Sequence, residues 1–481
     1  MSNLIRKLKN DRDAPPGVLF DALATDVEDR SAGTVNITGR LPQGLSGVLY
    51  RNGPGKFRLG GRTKRSVLDG DGVIQRLELA DGRARYARRF VRTPKLAAET
   101  AANRFLYPTW TTTAPGFLAN VGQHIESQAG ITVYSVNGKL LVLDEVAPGF
   151  ELDPATLETL RPASLGLPEN DRALKAHARF LVESGDWLFV STRTDASGTV
   201  IDLVRLKPDG TRIATPTVKA PRTAYLHDFG ATERFAVVIL QAAHLHGLRF
   251  LSGLASFAEC LEWRPERGNI VLLIDLHSGA CRTFEAPAAW VWHVANAYEH
   301  DNDLVMDFVG YDDPGHFLGR DAQLTAIMRG REGVNCAPGT LRRYVIRPES
   351  GRLTETILCD GNYEFPSVDG RSGGREHQRV YVTCGNRPGM LHSGIASIDT
   401  ATGKRDAYDF GAHVNALEPV FAQAPDGAID QGWLITQTLD TRAGTSAFAV
   451  LDARCVADGP VATIELGETL PISFHGLWVP H

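Results

Sequence analysis

Ile131-Thr132-Val133-Tyr134-Ser135-Val136-Asn137-Gly138-Lys139-Leu140-Leu141-Val142-Leu143 reads as a β-hairpin. Its flanks are rich in β-branched and aliphatic residues. Asn137-Gly138 is the pair best suited to a two-residue type I′ turn, whose central residues both need positive φ. The same pattern recurs along the chain. Trp187 to Thr192 and Val200 to Leu206 form another strand pair, followed by a Lys207-Pro208-Asp209-Gly210 turn. Further strands are expected at Ile270 to Leu276, Leu304 to Val309, Leu341 to Ile346, Arg379 to Thr383, Leu434 to Thr438 and Ala447 to Asp452. Short strands at fairly even spacing, without alternating helices, indicate a sandwich, a barrel or a propeller. For 481 residues a single propeller is the economical choice, because radial blades absorb hundreds of residues into one fold.

Composition narrows the function classes. The chain is 43% hydrophobic and 22% charged, with a formal net charge of -5, so it has no basic excess suited to nucleic acid. Its six cysteines, Cys260, Cys281, Cys336, Cys359, Cys384 and Cys455, are scattered and form no CxxC pair, as expected of reduced thiols. Arg6, Lys7, Lys9 and Arg12 are not followed by an apolar h-region, and no run reaches the ~18 apolar residues of a membrane span. A cytoplasmic protein is expected.

One stretch departs from the β pattern. Leu245, Leu248, Leu251, Leu254, Ala258 and Leu261 fall at helical spacing, with Phe250 and Phe257 beside them. The spacing predicts a helix over 245–261. Such a helix packs either on the propeller or, with its apolar face outward, against a lipid surface.

Four of the fourteen histidines stand out by their surroundings. His177, His227 and His293 each lie in or just before an apolar strand, and His475 lies in Pro471-Ile472-Ser473-Phe474-His475-Gly476-Leu477-Trp478, almost at the chain end. Chain ends fray unless tied down, and Phe474, Leu477 and Trp478 supply the apolar anchors of a closing strand. A shared metal would explain four buried imidazoles. The alternative is four separately hydrogen-bonded core residues.

A longer series of motifs is more specific. It runs from Gly39-Arg40-Leu41-Pro42-Gln43-Gly44-Leu45-Ser46-Gly47-Val48-Leu49-Tyr50-Arg51-Asn52-Gly53-Pro54 through Leu68-Asp69-Gly70-Asp71-Gly72, Arg89-Phe90-Val91-Arg92-Thr93 and Leu152-Asp153-Pro154. It continues through His227-Asp228-Phe229, His293 with Asn296-Ala297, Glu364-Phe365-Pro366 and Glu418-Pro419-Val420-Phe421, and ends at Phe474-His475-Gly476. In number and order these resemble the carotenoid cleavage oxygenases, a family that includes apocarotenoid oxygenases and lignostilbene dioxygenases. The resemblance implies a seven-bladed β-propeller with a helical or loop cap over the active-site face. Residues 39–481 would form this catalytic domain, with a C-terminal closing strand, behind an N-terminal segment 1–38. It implies Fe(II) held by His177, His227, His293 and His475, with Glu145, Glu364 and Glu418 behind three of them. Which histidine lacks a glutamate is not legible.

The implied chemistry is cleavage of a conjugated C=C bond by O2 into two carbonyl products, the substrate being a lipophilic polyene. The 245–261 stretch would supply a peripheral membrane contact. Stilbene- and isoeugenol-cleaving relatives usually carry a lysine where this sequence has Asp144, which disfavours a 4-hydroxystilbene and favours a carotenoid or apocarotenoid. Many relatives carry Asn-Thr where this chain has Gly130-Ile131, so Ile131 keeps a methyl near the open coordination position and lacks the hydroxyl. Tyr107, Trp110, Phe117 and Trp292 are candidate tunnel walls. Alternatives are a stilbene- or phenylpropenoid-cleaving dioxygenase, an isomerase using the same iron, and a propeller scaffold without catalysis. A calcium-dependent lactonase would want carboxylate ligands instead.

Overall fold

The computed structural model describes residues 22–122, 125–147, 149–163, 165–167, 173–195, 198–318, 322–330, 337–385 and 391–481. Arg6 to Arg12, His124 and Cys336 lie outside the described residues. Seven antiparallel sheets follow one another as the blades of a propeller. The opening hairpin forms as expected: Thr132–Val136 pairs with Lys139–Leu143, and Asn137 (φ 48°) and Gly138 (φ 71°) make the type I′ turn. The pair Asp186–Asp195 and Gly198–Leu206 is equally regular.

Each blade has one strand nearest the centre. From the first blade to the seventh these are Gly476–Pro480, Thr132–Val136, Ala173–Leu181, Phe229–Ala231, Trp290–His300, Tyr363–Ser367 and Val420–Gln423. The candidate residues lie on or beside them. His475 precedes the first, His177 is in the third, His227 precedes the fourth and His293 is in the fifth. Glu364 is in the sixth and Glu418 precedes the seventh, while Glu145 follows Lys139–Leu143 of the second blade. Residues far apart in sequence thus converge because each blade offers one strand end to the axis.

The ring closes twice. Asn36–Gly39 adds to the last blade beside Pro460–Glu465, and Gly476–Pro480 adds to the first beside Gly47–Lys56. Arg30–Thr34 also joins the first blade, on Arg83–Phe90. Residues 30–38, assigned from sequence to a segment ahead of the propeller, therefore belong to two of its edge strands. Their partners lie about 50 and more than 400 residues away, so nothing local marks them as strands of this domain.

The predicted helix over 245–261 does not form. Ala243–Leu245 pairs antiparallel with Leu261–Trp263, and the loop between them holds one helical segment, Gly247–Leu251, and a 3-10 turn, Ala258–Cys260. Gly253 ends the helix with φ 69°, and a side chain there would meet the backbone of Asn120 and Val121. The leucine spacing serves a surface, not a buried helical face. Leu248, Leu251 and Leu254 are 87%, 53% and 70% exposed. No helix among the described residues is long and apolar enough to cross a membrane. Cys260, Cys281, Cys359, Cys384 and Cys455 are free thiols.

Candidate metal centre

The four imidazoles meet on the propeller axis. Ring nitrogens of His177, His293 and His475 lie within 4.8 Å of one another, and His177 Nε2 is 3.1 Å from His227 Nε2. All four rings are buried. Three have a carboxylate at the opposite nitrogen: Glu145 Oε1 contacts His227 Nδ1, Glu364 Oε2 is 2.5 Å from His293 Nδ1, and Glu418 Oε1 is 2.8 Å from His475 Nδ1. An ionised carboxylate only accepts, so each Nδ1 carries the proton and each Nε2 turns a lone pair to the centre.

His177 is the one without such a partner. Its Nδ1 lies 3.9 Å from Asp228 Oδ2, beyond hydrogen-bond reach. Asp228 is already occupied: Arg179 donates to both of its oxygens at 2.6 Å, and the N–H groups of Phe229 and Val294 donate at 2.7 and 2.8 Å.

The electrostatics match a cation site. Burial, and then the three neighbouring imidazoles, hold His177 well below its usual pKa. Burial lowers His475 as well, against the opposing pull of Glu418. Burial alone would raise Glu145 and Glu364, but the facing imidazoles outweigh it and both finish below the usual carboxylate range. The donor set fits an imidazole-binding divalent metal. Two nitrogens about 2.1 Å from a common ion and at right angles to each other are about 3 Å apart, close to the 3.1 Å separation here. Without a cation, lone pairs would face one another in a buried space. Neutral imidazole donors suit iron, copper, nickel and zinc, and four of them leave the ion its full charge and room for further ligands.

One side of the centre opens into an apolar cavity. Trp110, Ile131, Trp292, Phe317, Leu324, Phe365 and Phe474 line it, with His227, His293 and His475 at its end. Of the wall residues expected from sequence, Trp110, Ile131 and Trp292 line this cavity. Tyr107 and Phe117 do not. Tyr107 is half-buried in the loop held by Glu99, and Phe117 is 57% exposed at a surface 3-10 turn, Phe117–Ala119. An aromatic in an irregular segment carries no periodicity that tells a tunnel wall from a surface.

Asp144 faces away from the cavity. Its Oδ2 accepts from Ser127 Oγ and from the N–H groups of Gln128 and Ala129, and its Oδ1 from Val146 N–H. It braces the loop before Ile131. Sequence reading missed three contributors. Tyr225 donates to Glu145 Oε2 at 2.9 Å and stacks on Trp290, so it fixes the carboxylate that fixes His227. Phe365 stacks on His293 with ring centres 5.1 Å apart. Arg51 binds the chain beside His475, through Ser473 Oγ and the Phe474 carbonyl. The only sequence signal for Tyr225 was its place two residues before a candidate ligand.

Residues 23–480 match the family described as retinal pigment epithelial membrane protein. The apocarotenoid-15,15'-oxygenase of Synechocystis is 28% identical over 92% of each chain, and the isoeugenol monooxygenase of Pseudomonas putida is 25% identical over 92% of this chain and 94% of its own. The crystal structure of cobalt-substituted Synechocystis apocarotenoid oxygenase superposes with a TM-score of 0.89 at 26% identity, covering 98% of this chain and all of that one. The match spans nearly every described residue, and the chain belongs to the retinal pigment epithelial membrane protein family, the carotenoid cleavage oxygenases.

Proposed function

We propose that this protein is a non-haem Fe(II) dioxygenase that cleaves a conjugated C=C bond of an apocarotenoid or carotenoid. The observation that carries the reading is the convergence of four buried imidazoles, three of which line an apolar cavity. His177, His227, His293 and His475 would hold the iron. When bound, Fe(II) supplies the open-shell chemistry that lets O2 react with an alkene. The reaction balances without a reductant, because the alkene and O2 become two carbonyl groups.

The chain's own residues position and protect. Glu145, Glu364 and Glu418 hold three imidazoles in the tautomer that binds metal. Trp110, Trp292, Phe317 and Phe474 exclude water and align a flat polyene beside the centre. Ile131 presents only methyl groups there, so no hydroxyl at that position hydrogen-bonds to a reactant. Asp144, locked onto Ser127 and backbone N–H groups, puts no lysine at that position to meet a phenol, which supports a polyene over a 4-hydroxystilbene.

The deciding assay is aerobic turnover by the ferrous-reconstituted protein under 18O2, with an apocarotenal, a full-length carotenoid and resveratrol as substrates. Two carbonyl fragments from the apocarotenal, with 18O incorporated, are expected. An isomer of unchanged mass would make the protein an isomerase, and faster cleavage of resveratrol would overturn the substrate class.

The exposed leucines suggest how a cytoplasmic protein meets a lipophilic substrate. Leu248, Leu251 and Leu254 lie beside Phe117, Leu118 and Val121, tied by the Gly122 N–H bond to the Leu251 carbonyl. This patch docks on a lipid surface in our reading. Changing both Leu248 and Leu251 to Glu should weaken co-sedimentation with phosphatidylcholine liposomes at least about tenfold, since each leucine is worth about 1.5–3 kcal/mol on burial. Unchanged co-sedimentation would refute the docking role.

A further inference from the structure

Beside the histidine cavity lies a second one, which shares Trp110, Glu145 and Tyr225 with it. Phe250 and Phe257 contribute apolar surface to it, and Lys175 and a chain of threonine hydroxyls contribute polar surface. Thr194 Oγ1 is 2.9 Å from Thr199 Oγ1, which is 3.0 Å from Thr223 Oγ1. Lys175 stands two residues before His177 on the strand nearest the axis of the third blade.

The ammonium of Lys175 has no hydrogen-bond or ion-pair partner among the described residues. Glu145 lines the same cavity and Asp144 precedes it in the chain, and both carboxylates are committed elsewhere. Glu145 holds His227 and Tyr225, and Asp144 holds Ser127 and three backbone N–H groups. A half-buried cation left without a counter-ion, in a cavity adjoining the reaction site, is matched by an anion that the ligand brings.

We propose that this second cavity receives the polar end of the substrate and that Lys175 pairs with a carboxylate there, which makes the preferred substrate a polyene acid. Its conjugated chain then runs past Trp110 and Tyr225 to the histidines, and the threonine hydroxyls donate to the second carboxylate oxygen. An alcohol end would hydrogen-bond to the same hydroxyls without neutralising the ammonium, so charge is what separates the two ends. The inference rests on the function proposed above, but it can be tested without turnover.

The measurement is anaerobic binding of all-trans-retinoic acid and all-trans-retinol to the iron-loaded protein, read by quenching of tryptophan fluorescence. The two probes share one polyene and differ at the polar end. Wild type should bind the acid about tenfold more tightly, equivalent to about 1.4 kcal/mol. Lys175→Met should bind both alike, and Lys175→Arg should keep most of the difference. Equal affinities in wild type, or an acid preference undiminished in Lys175→Met, would overturn the assignment. If Lys175→Met does not fold, the wild-type comparison and Lys175→Gln decide in the same way. With oxygen excluded, a failure here says nothing about cleavage, which the aerobic 18O2 assay tests separately.

Discussion

Replacing His475 with alanine is expected to strip the protein of iron while leaving it folded, whereas removing residues 474–481 is expected to unfold it. The substitution deletes one of four donors and leaves the backbone in place. Glu418 loses its imidazole but keeps the Gly476 N–H, which donates to Oε2 at 2.6 Å, so the stability cost is about 1–3 kcal/mol. Loss of an outer partner alone typically costs 10–100-fold in metal affinity; loss of a ligand should cost more than about 100-fold, with cleavage falling in proportion. The deletion is a different kind of change. It removes the whole Gly476–Pro480 strand, bares the edge of Gly47–Lys56, and takes buried Trp478 out of the core between the first and last blades. That burial is worth about 1.5–3 kcal/mol for Trp478 alone, and the lost ladder and ring closure bring the total near the 5–15 kcal/mol that keeps a domain folded. Iron per chain and a far-UV circular dichroism melt separate the two. Stoichiometric iron with normal activity in His475→Ala would falsify the ligand assignment.

Local features were legible in the sequence and long-range ones were not. The hairpin at 132–143 could be read because its strands and turn are adjacent, and Asn137-Gly138 admits few other conformations. The place of Asn36–Gly39 in the last blade could not, because its partner is Pro460–Glu465 and the pairing leaves no local mark. Leucine spacing at 245–261 misled for a related reason: periodicity shows that apolar residues share a side, not whether protein covers that side. At the metal centre, apolar surroundings singled out the four histidines, whereas the three glutamates came through resemblance alone. The pairing of Glu145 with His227, Glu364 with His293 and Glu418 with His475 needed coordinates, and so did the isolation of His177. Each pair joins strand ends from different blades, and sequence order says nothing about which ends face each other.

Arg51 shows the same limit most sharply, and its substitution carries the second large expected effect. In Val48-Leu49-Tyr50-Arg51-Asn52 it looks like an outward charge on a strand, yet it is fully buried. Burial pulls its pKa down to about 10, although the charge of Glu418 opposes the shift, and the guanidinium stays ionised at neutral pH. Its Nε donates to Ser473 Oγ at 2.8 Å, one terminal nitrogen to the Glu418 carbonyl at 2.8 Å, and the other to the Phe474 carbonyl at 3.0 Å. One planar group thus holds the backbone on both sides of the Glu418–His475 pair. Asn52 completes the clamp: its N–H donates to the His475 carbonyl at 2.8 Å, and its carbonyl accepts from Phe474 N–H at 2.9 Å. Arg51→Leu should leave these buried acceptors without donors at about 1–3 kcal/mol each. Relief from burying a charge offsets part of that, for a net loss of about 3–5 kcal/mol. Arg51→Lys keeps the charge but not the three-way fork, so it should recover less than half of the stability. Because the clamp sets where His475 and Glu418 sit, iron should dissociate at least about tenfold faster from Arg51→Lys than from wild type. Urea unfolding of the iron-free protein and chelator-driven iron release from the loaded one measure the two effects separately. Wild-type iron release from a destabilised Arg51→Lys would reduce Arg51 to a fold residue with no part in positioning the metal.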